Sequence, residues 1–192
     1  MRNPKAVACI CPSGLGGREM TMKGRALLAV LVMLGGVAGW ALWPEASLPA
    51  GTVVDKLVLR KSARALELYR GSTMLKSYRV SLGRHPLGRK TAQGDGRTPE
   101  GAYVLDYRNE HSSFHKALHI SYPSKADVAA AAARGVDPGG LIMLHGIQNH
   151  LGWLGRAHRL VDWTDGCVAV TDEEIDEIWR VVPAGTPIAI EP

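Results

Sequence analysis

From residue 52 onward the chain reads largely as short alternating segments. Residues 52–60 (TVVDKLVLR) and 64–69 (RALELY) place apolar side chains at every second position over much of their length. That is the period of a strand with one buried face. Gly71-Ser72 is a hairpin turn signal, and 74–81 resumes the strand pattern. Residues 102–107 and 117–122 (ALHISY) read as further strands, and 141–145 (LIMLH) as a short, wholly buried one. Between them, 83–101 (GRHPLGRKTAQGDGRTPEG) has no period and is rich in Gly and Pro. Loops this long inside a compact domain are often functional. A helix is predicted over 125–134 (KADVAAAAAR), stopped by Gly135, and another over 172–182 (DEEIDEIWRVV). Thr171 with Glu174 makes a capping box for the second, its acidic first turn suits the helix dipole, and Pro183 and Gly185 end it. A strand over 186–190 closes the chain. The pattern predicts a mainly β domain with one or two helices, built on a mixed, β-sandwich-like sheet.

The N-terminal part is patterned differently. Residues 26–43 (ALLAVLVMLGGVAGWALW) carry no charge, Lys23 and Arg25 stand just before them, and no Lys or Arg follows until Lys56. The run exceeds the ~17 residues a spanning helix needs, and Trp40 and Trp43 sit where an interfacial belt would lie. This predicts a signal-anchor transmembrane helix over 26–43 with everything after residue 44 outside the cytoplasm. The best small-residue cleavage pattern, Leu48-Pro49-Ala50, is poor, which favours a retained anchor, and no Cys follows the run to carry a lipid. The expected organisation is a cytoplasmic stub over 1–25, the anchor over 26–43, a linker over 44–51 (PEASLPAG) and a domain over 52–192. Met20 and Met22 each open a compact basic segment, so 1–19 reads as an over-extended start.

Composition narrows the class. A chain of 192 residues that is 46% hydrophobic has enough apolar material for one domain of ordinary size, and too much for a disordered chain. Three Cys are too few for a disulfide-dense scaffold. The net charge of +5 is unevenly spread: residues 56–97 hold eleven basic and two acidic residues, and 98–192 hold seven basic and thirteen acidic. No aromatics interleave with the basic residues at a nucleic-acid-binding spacing, so no nucleic-acid partner is expected.

Cys9 and Cys11 precede the anchor, which leaves Cys167 as the single Cys of the domain. It cannot form an internal disulfide. It sits in a polar turn, Trp163-Thr164-Asp165-Gly166-Cys167, where a Gly just before it lets the backbone approach a substrate. A Cys nucleophile needs a base. His145 ends the buried strand and is followed by Gly146, which fixes it in place at an open edge. His119 alternates within ALHISY and is a candidate for the same pocket. His111, His115 and His119 form H-x3-H-x3-H, a zinc pattern on a helix, but 117–122 reads as a strand and would not align them. No metal and no cofactor is expected.

Leu144-His145-Gly146, then a spacer, then Trp163-Thr164-Asp165-Gly166-Cys167-Val168 resembles the signature of the L,D-transpeptidase catalytic domain family, the YkuD-type domain. Gly94 to Gly101 (GDGRTPEG), His119 to Pro123 (HISYP) and the end from Thr171 to Ile188 resemble it too, so the likeness covers about 52–192. Two positions depart from the pattern: Ala169 stands where many members have Arg, and Asp165 where many have His or Ser. The resemblance implies a nucleophilic Cys167 with His145 as base, Gly146 orienting the imidazole through its carbonyl, and the N–H groups of Gly166 and Cys167 holding an oxyanion. It implies a thiolate–imidazolium pair with a lowered thiol pKa. The substrates it implies are peptidoglycan stem peptides, cut between an L-centre and D-Ala, with an amine acceptor in a transpeptidase or water in a carboxypeptidase or amidase. Arg97, Thr164, Asp165 and His119 are candidate substrate contacts, and Trp153 and Trp163 could floor the groove or simply pack. The location implied is the bacterial inner membrane, with the domain in the periplasm or cell-wall space. A non-catalytic wall-binding module that keeps the fold, and a zinc hydrolase, are the competing readings.

Overall fold

The computed structural model describes residues 22–42 and 46–192. Most of the expected stub, including 1–19, and the junction at 43–45 lie outside the described residues. The chain divides between Ala38 and Gly39 into two compact units. The uncharged run forms helix α1 (Met22–Leu42). Among the described residues no helix is long and apolar enough to cross a membrane. The expected helix is therefore present as far as Leu42, and its spanning role has no support in the structure.

The second unit is built on a mixed eight-stranded sheet. Its strands are β1 (Lys56–Arg60), β2 (Ala65–Arg70), β3 (Thr73–Arg79), β4 (Gly101–Ser112), β5 (His115–Ile120), β6 (Met143–His145), β7 (Val168–Ala169) and β8 (Thr186–Glu191). They lie in the order β3-β2-β1-β8-β4-β5-β6-β7. The β1–β8 and β6–β7 pairs are parallel and the others antiparallel. The segment after β3 returns to the far edge. Ser81 N–H donates to Ala169 O and Ala169 N–H to Ser81 O, both at 2.9 Å. The expected sandwich is thus a single sheet whose two edges are laced together. That bridge covers the β7 edge, which an open sheet would leave unpaired.

The alternation read from sequence points inward. Leu57, Leu59, Leu66, Leu68, Leu105, Leu118, Ile120, Leu144, Val168, Ile188 and Ile190 share one buried core. Helix α3 (Asp172–Val181) closes it with Ile175, Ile178 and Val181. Both halves of its capping box form: Thr171 Oγ1 accepts from Glu174 N–H, and Thr171 N–H donates to Glu174 Oε2. Helix α2 (Lys125–Ala132) starts from a second box, Ser124 with Asp127. The expected linker is docked where it is described: Lys76 Nζ donates to Ala46 O, and Leu48 packs against the core.

The long loop before β4 is ordered by buried charge. Lys61, 2% exposed, pairs with Glu100 at 2.7 Å and donates to the carbonyls of Gly88 and Thr98. Buried Lys90 pairs with Asp95 at 2.9 Å. Asp95 also accepts from the N–H groups of Thr91, Ala92 and Arg97. Burial pushes its carboxyl up, but these donors and Lys90 outweigh that and hold it at about 2.

Candidate active site

Register brings the candidate groups together. In the parallel pair β6–β7, Leu144 lies opposite Val168 and His145 opposite Ala169. Leu144 and Val168 both face the core. Strand alternation therefore turns Met143 and His145 to the other face, together with Cys167 just before β7. On the adjoining strand Ala117 pairs with His145 and His119 with Met143, so they belong to that face too. A cavity of about 510 Å³ opens there. Cys167 and His145 both line it, with Met143, Ala117 and Leu141 around them and Tyr107, Asn109, Ser112, Phe114, Gln148 and Trp163 as walls.

The turn that presents Cys167 is clamped from behind. Gly166 has φ +123°, and a Cβ there would lie 2.5 Å from the Arg97 carbonyl oxygen. Only Gly fits. Thr164 Oγ1 donates to Cys167 O at 2.8 Å and accepts from Gly166 N–H at 3.2 Å. Of the expected oxyanion donor pair, the Gly166 N–H is thus engaged within its own turn. The Met143 N–H instead points at Cys167 Sγ, at 3.4 Å.

His145, 3% exposed, holds its ring by Nδ1, 2.6 Å from Gly146 O. A carbonyl only accepts, so Nδ1 carries the proton and Nε2 is left with its lone pair. Phe114 and Trp163 pack on the ring at centroid distances of 4.6 and 5.8 Å. Burial lowers the imidazole pKa to about 4, against the Gly146 carbonyl, which raises it. Burial likewise pushes the Cys167 thiol up, with Asp165 adding to it and the Met143 N–H opposing it. Desolvation thus outweighs the partners available and favours the neutral form of each group at rest, the opposite direction from the expected thiolate–imidazolium pair.

A scan against family models matches the L,D-transpeptidase catalytic domain (YkuD) over residues 54–190. The chain belongs to the L,D-transpeptidase catalytic domain family. It is similar to YafK of Escherichia coli (strain K12), 32% identical over 129 residues, covering 64% of this chain and 44% of that protein. In fold it resembles the helical cell shape determining protein Pgp2 of Campylobacter jejuni, with TM-score 0.55, 20% identity and coverage of 82% of this chain and 54% of the other. It also resembles Bd1075 of Bdellovibrio bacteriovorus, with TM-score 0.50, 24% identity and coverage of 76% and 50%. The chain spans about half the length of these relatives.

The remaining residues singled out for this L,D-transpeptidase domain take different places. Thr164 and Asp165 line the cavity, and Asp165, its side chain 79% exposed, pairs with Arg84 at 2.6 Å. His119 is on the cavity face but not in its wall. It pairs with Asp106 at 2.6 Å and stacks on Tyr107, 4.5 Å between centroids, so it supports a wall residue. Arg97 does not line the cavity: its guanidinium lies beside Gly88, and its carbonyl backs the Cys167 turn. Trp163 is a wall, and Trp153 is exposed outside the cavity. His111 lies near the end of β4, while His115 and His119 lie on β5, each bound to a separate carboxylate, Asp176 and Asp106. Among the described residues no cluster of three His, Cys, Asp or Glu could hold a metal ion. Phe114 and the Met143 N–H escaped the sequence reading. Phe114 is the single Phe of the chain and sits in the tight β4–β5 connection, a position with no motif around it.

Proposed function

We propose that this protein is a cysteine-dependent L,D-transpeptidase acting on peptidoglycan stem peptides. The observation that supports this best is the joint placement of Cys167 and His145 on the cavity face of neighbouring strands, with the imidazole tautomer set by Gly146. His145 Nε2 takes the thiol proton as Sγ bonds to the carbonyl carbon preceding D-Ala. The C–N bond then breaks, His145 returns the proton to the departing D-Ala amine, and a thioester remains. An acceptor amine attacks the thioester, its proton passes to His145, the C–S bond breaks, and the thiol is restored. In this reading the Cys167 N–H and the Met143 N–H, which points at Cys167 Sγ, serve as donors to the developing oxyanion, and one such donor is typically worth ~3 kcal/mol. A resting pair without charge suits a buried site, because charge appears only as the sulfur attacks.

The domain acts outside the cytoplasm in this reading, which the uncharged run 26–43 behind Lys23 and Arg25 supports. Fractionation of cells, with carbonate extraction of the membranes, tests that placement and whether α1 retains the protein there. The activity is tested by mass spectrometry of tetrapeptide muropeptides incubated with the full-length protein beside Cys167→Ala. Crosslinked dimer made only by the wild type supports the transpeptidase. Tripeptide without dimer moves the assignment to a carboxypeptidase, and no change with either protein overturns it.

A further inference from the structure

The peptide between Gly146 and Ile147 is held at both ends. Its carbonyl accepts from His145 Nδ1–H at 2.6 Å, and its N–H, that of Ile147, donates to Asp172 Oδ1 at 2.8 Å. The peptide is trans, so its C=O and N–H lie in one plane and point in opposite directions. A continuous hydrogen-bonded line therefore runs from the Asp172 carboxylate through the peptide to the imidazole. The chain leaves room for that carboxylate. A Cβ on Gly146 would lie 2.7 Å from Asp172 Oδ1, and one on Gly152 would collide with Oδ2. The segment following His145 thus has glycine at two of the places where it approaches Asp172. The helix does not need this side chain as its cap, since Thr171 and Glu174 supply the capping box. Among the described residues the Ile147 N–H is the one hydrogen-bond partner of the Asp172 carboxylate.

We propose that Asp172 is the remote member of the catalytic relay, a positioning residue that acts on His145 through the Gly146–Ile147 peptide. The inference rests on the reading of Cys167 and His145 as nucleophile and base. A carboxylate on the N–H side polarises the amide and makes Gly146 O a stronger acceptor for Nδ1–H. A stronger bond there raises the basicity of Nε2 and stabilises the imidazolium that forms when the thiol proton arrives. In the Ser-His-Asp arrangement the acid touches the imidazole directly; here one peptide is inserted between them. Burial raises the Asp172 carboxyl above its ordinary value, and Glu173 and Asp176 of α3 add to that, while the Ile147 N–H and His115, from β5, favour its ionised form. The titratable groups facing His145 are Cys167, which lines the same cavity, and His158 behind Trp163.

Two variants of the full-length protein test the relay. Asp172→Asn keeps an oxygen for the Ile147 N–H and removes the charge, while Asp172→Ala removes both. The readouts are alkylation of Cys167 by iodoacetamide and titration of His145 by NMR, neither of which needs a wall substrate. Asp172→Asn is expected to slow alkylation at pH 7.5 by about ten-fold, the size of effect that outer-shell partners of a functional His produce. It is expected to move the His145 titration to lower pH and leave Tm unchanged. On active substrate it lowers kcat with KM unchanged. A wild-type alkylation rate and a wild-type His145 titration in Asp172→Asn overturn the proposal, even if Asp172→Ala fails to fold. A slowed Asp172→Asn in a protein whose wild type leaves muropeptides untouched keeps the relay and removes the transpeptidase reading instead.

Discussion

Two buried polar regions meet at the Gly166 turn, and they are built on opposite terms. In the loop before β4 each buried charge has a partner: Lys61 has Glu100 and two carbonyls, and Lys90 has Asp95. Around the cavity, among the described residues, Cys167 and His145 have main-chain partners and aromatic walls and no ion-pair partner. Cys167 has the Met143 N–H, and His145 has Gly146 O with Phe114 and Trp163. Paired charge fixes a segment in one arrangement, whereas unpaired burial keeps a group neutral and ready to exchange a proton. The first region holds the wall against which the second is set, with the Arg97 carbonyl as the point of contact behind Cys167.

That contact is the most sensitive place in the comparison. In Gly166→Ala the new Cβ meets main-chain oxygen with little room to yield, in a backbone conformation that disfavours a side chain. A loss of about 4–5 kcal/mol in chemical denaturation is expected, with Cys167 displaced and activity gone. A stable, active variant would show that the loop gives way freely and that the two regions are not coupled there. Removing a paired charge should cost somewhat less. Lys61→Met leaves Glu100 and two carbonyls without their donor, a loss of about 3–5 kcal/mol. Activity per folded molecule should persist, because Lys61 does not line the cavity. Lost activity at unchanged stability would contradict the scaffolding role.

The unpaired region should show itself in pH. Burial holds His145 at about 4, and burial, with Arg159 and His145 nearby, holds His158 at about 3. Both are depressed from 6.5, so between 6.5 and the folded values the unfolded chain binds protons that the folded one does not. Stability therefore falls as pH drops below about 6.5, by about 3 kcal/mol from His145 by the time pH reaches 4. Tm measured from pH 7.5 to 4 should follow this fall, with a shallower slope in His145→Gln. An equal slope in that variant would place the acid sensitivity elsewhere.

The sequence carried much of this, unevenly. Strand periods at 52–60 and 64–69 and the Thr171 capping box are local patterns, and they meet the observed elements Lys56–Arg60, Ala65–Arg70 and Asp172–Val181 within a few residues. The pair Cys167 and His145 was legible because its flanking glycines are dictated by main-chain geometry. Closure of the sheet was not legible, since the Ser81–Ala169 bridge joins residues far apart through backbone atoms alone. Protonation states are hard to read from sequence for a related reason. Motif spacing places a base near a thiol, but burial decides charge, and burial of His145 depends on Phe114 and Trp163 arriving from other segments. Asp172 was read only as part of an acidic first turn that suits the helix dipole. Its contact with Ile147 is tertiary and leaves no periodic mark.

The smallest expected effect isolates the one carboxylate in the cavity wall. Asp165 is well exposed and bridged to Arg84, itself half exposed, so breaking the pair should change stability by no more than about 1 kcal/mol. Its charge nevertheless acts on Cys167, where it adds to the burial that pushes the thiol up. Asp165→Asn removes that contribution while keeping the size and polarity of the side chain. The pH midpoint of Cys167 alkylation should move down, by a few tenths of a unit given solvent screening at the mouth. The direction carries the test. A midpoint that stays in place would mean that the Arg84 guanidinium already cancels Asp165 at the sulfur. A midpoint that rises would mean that the pair braces the turn and that exposed charge, as well as buried charge, sets the geometry around Cys167.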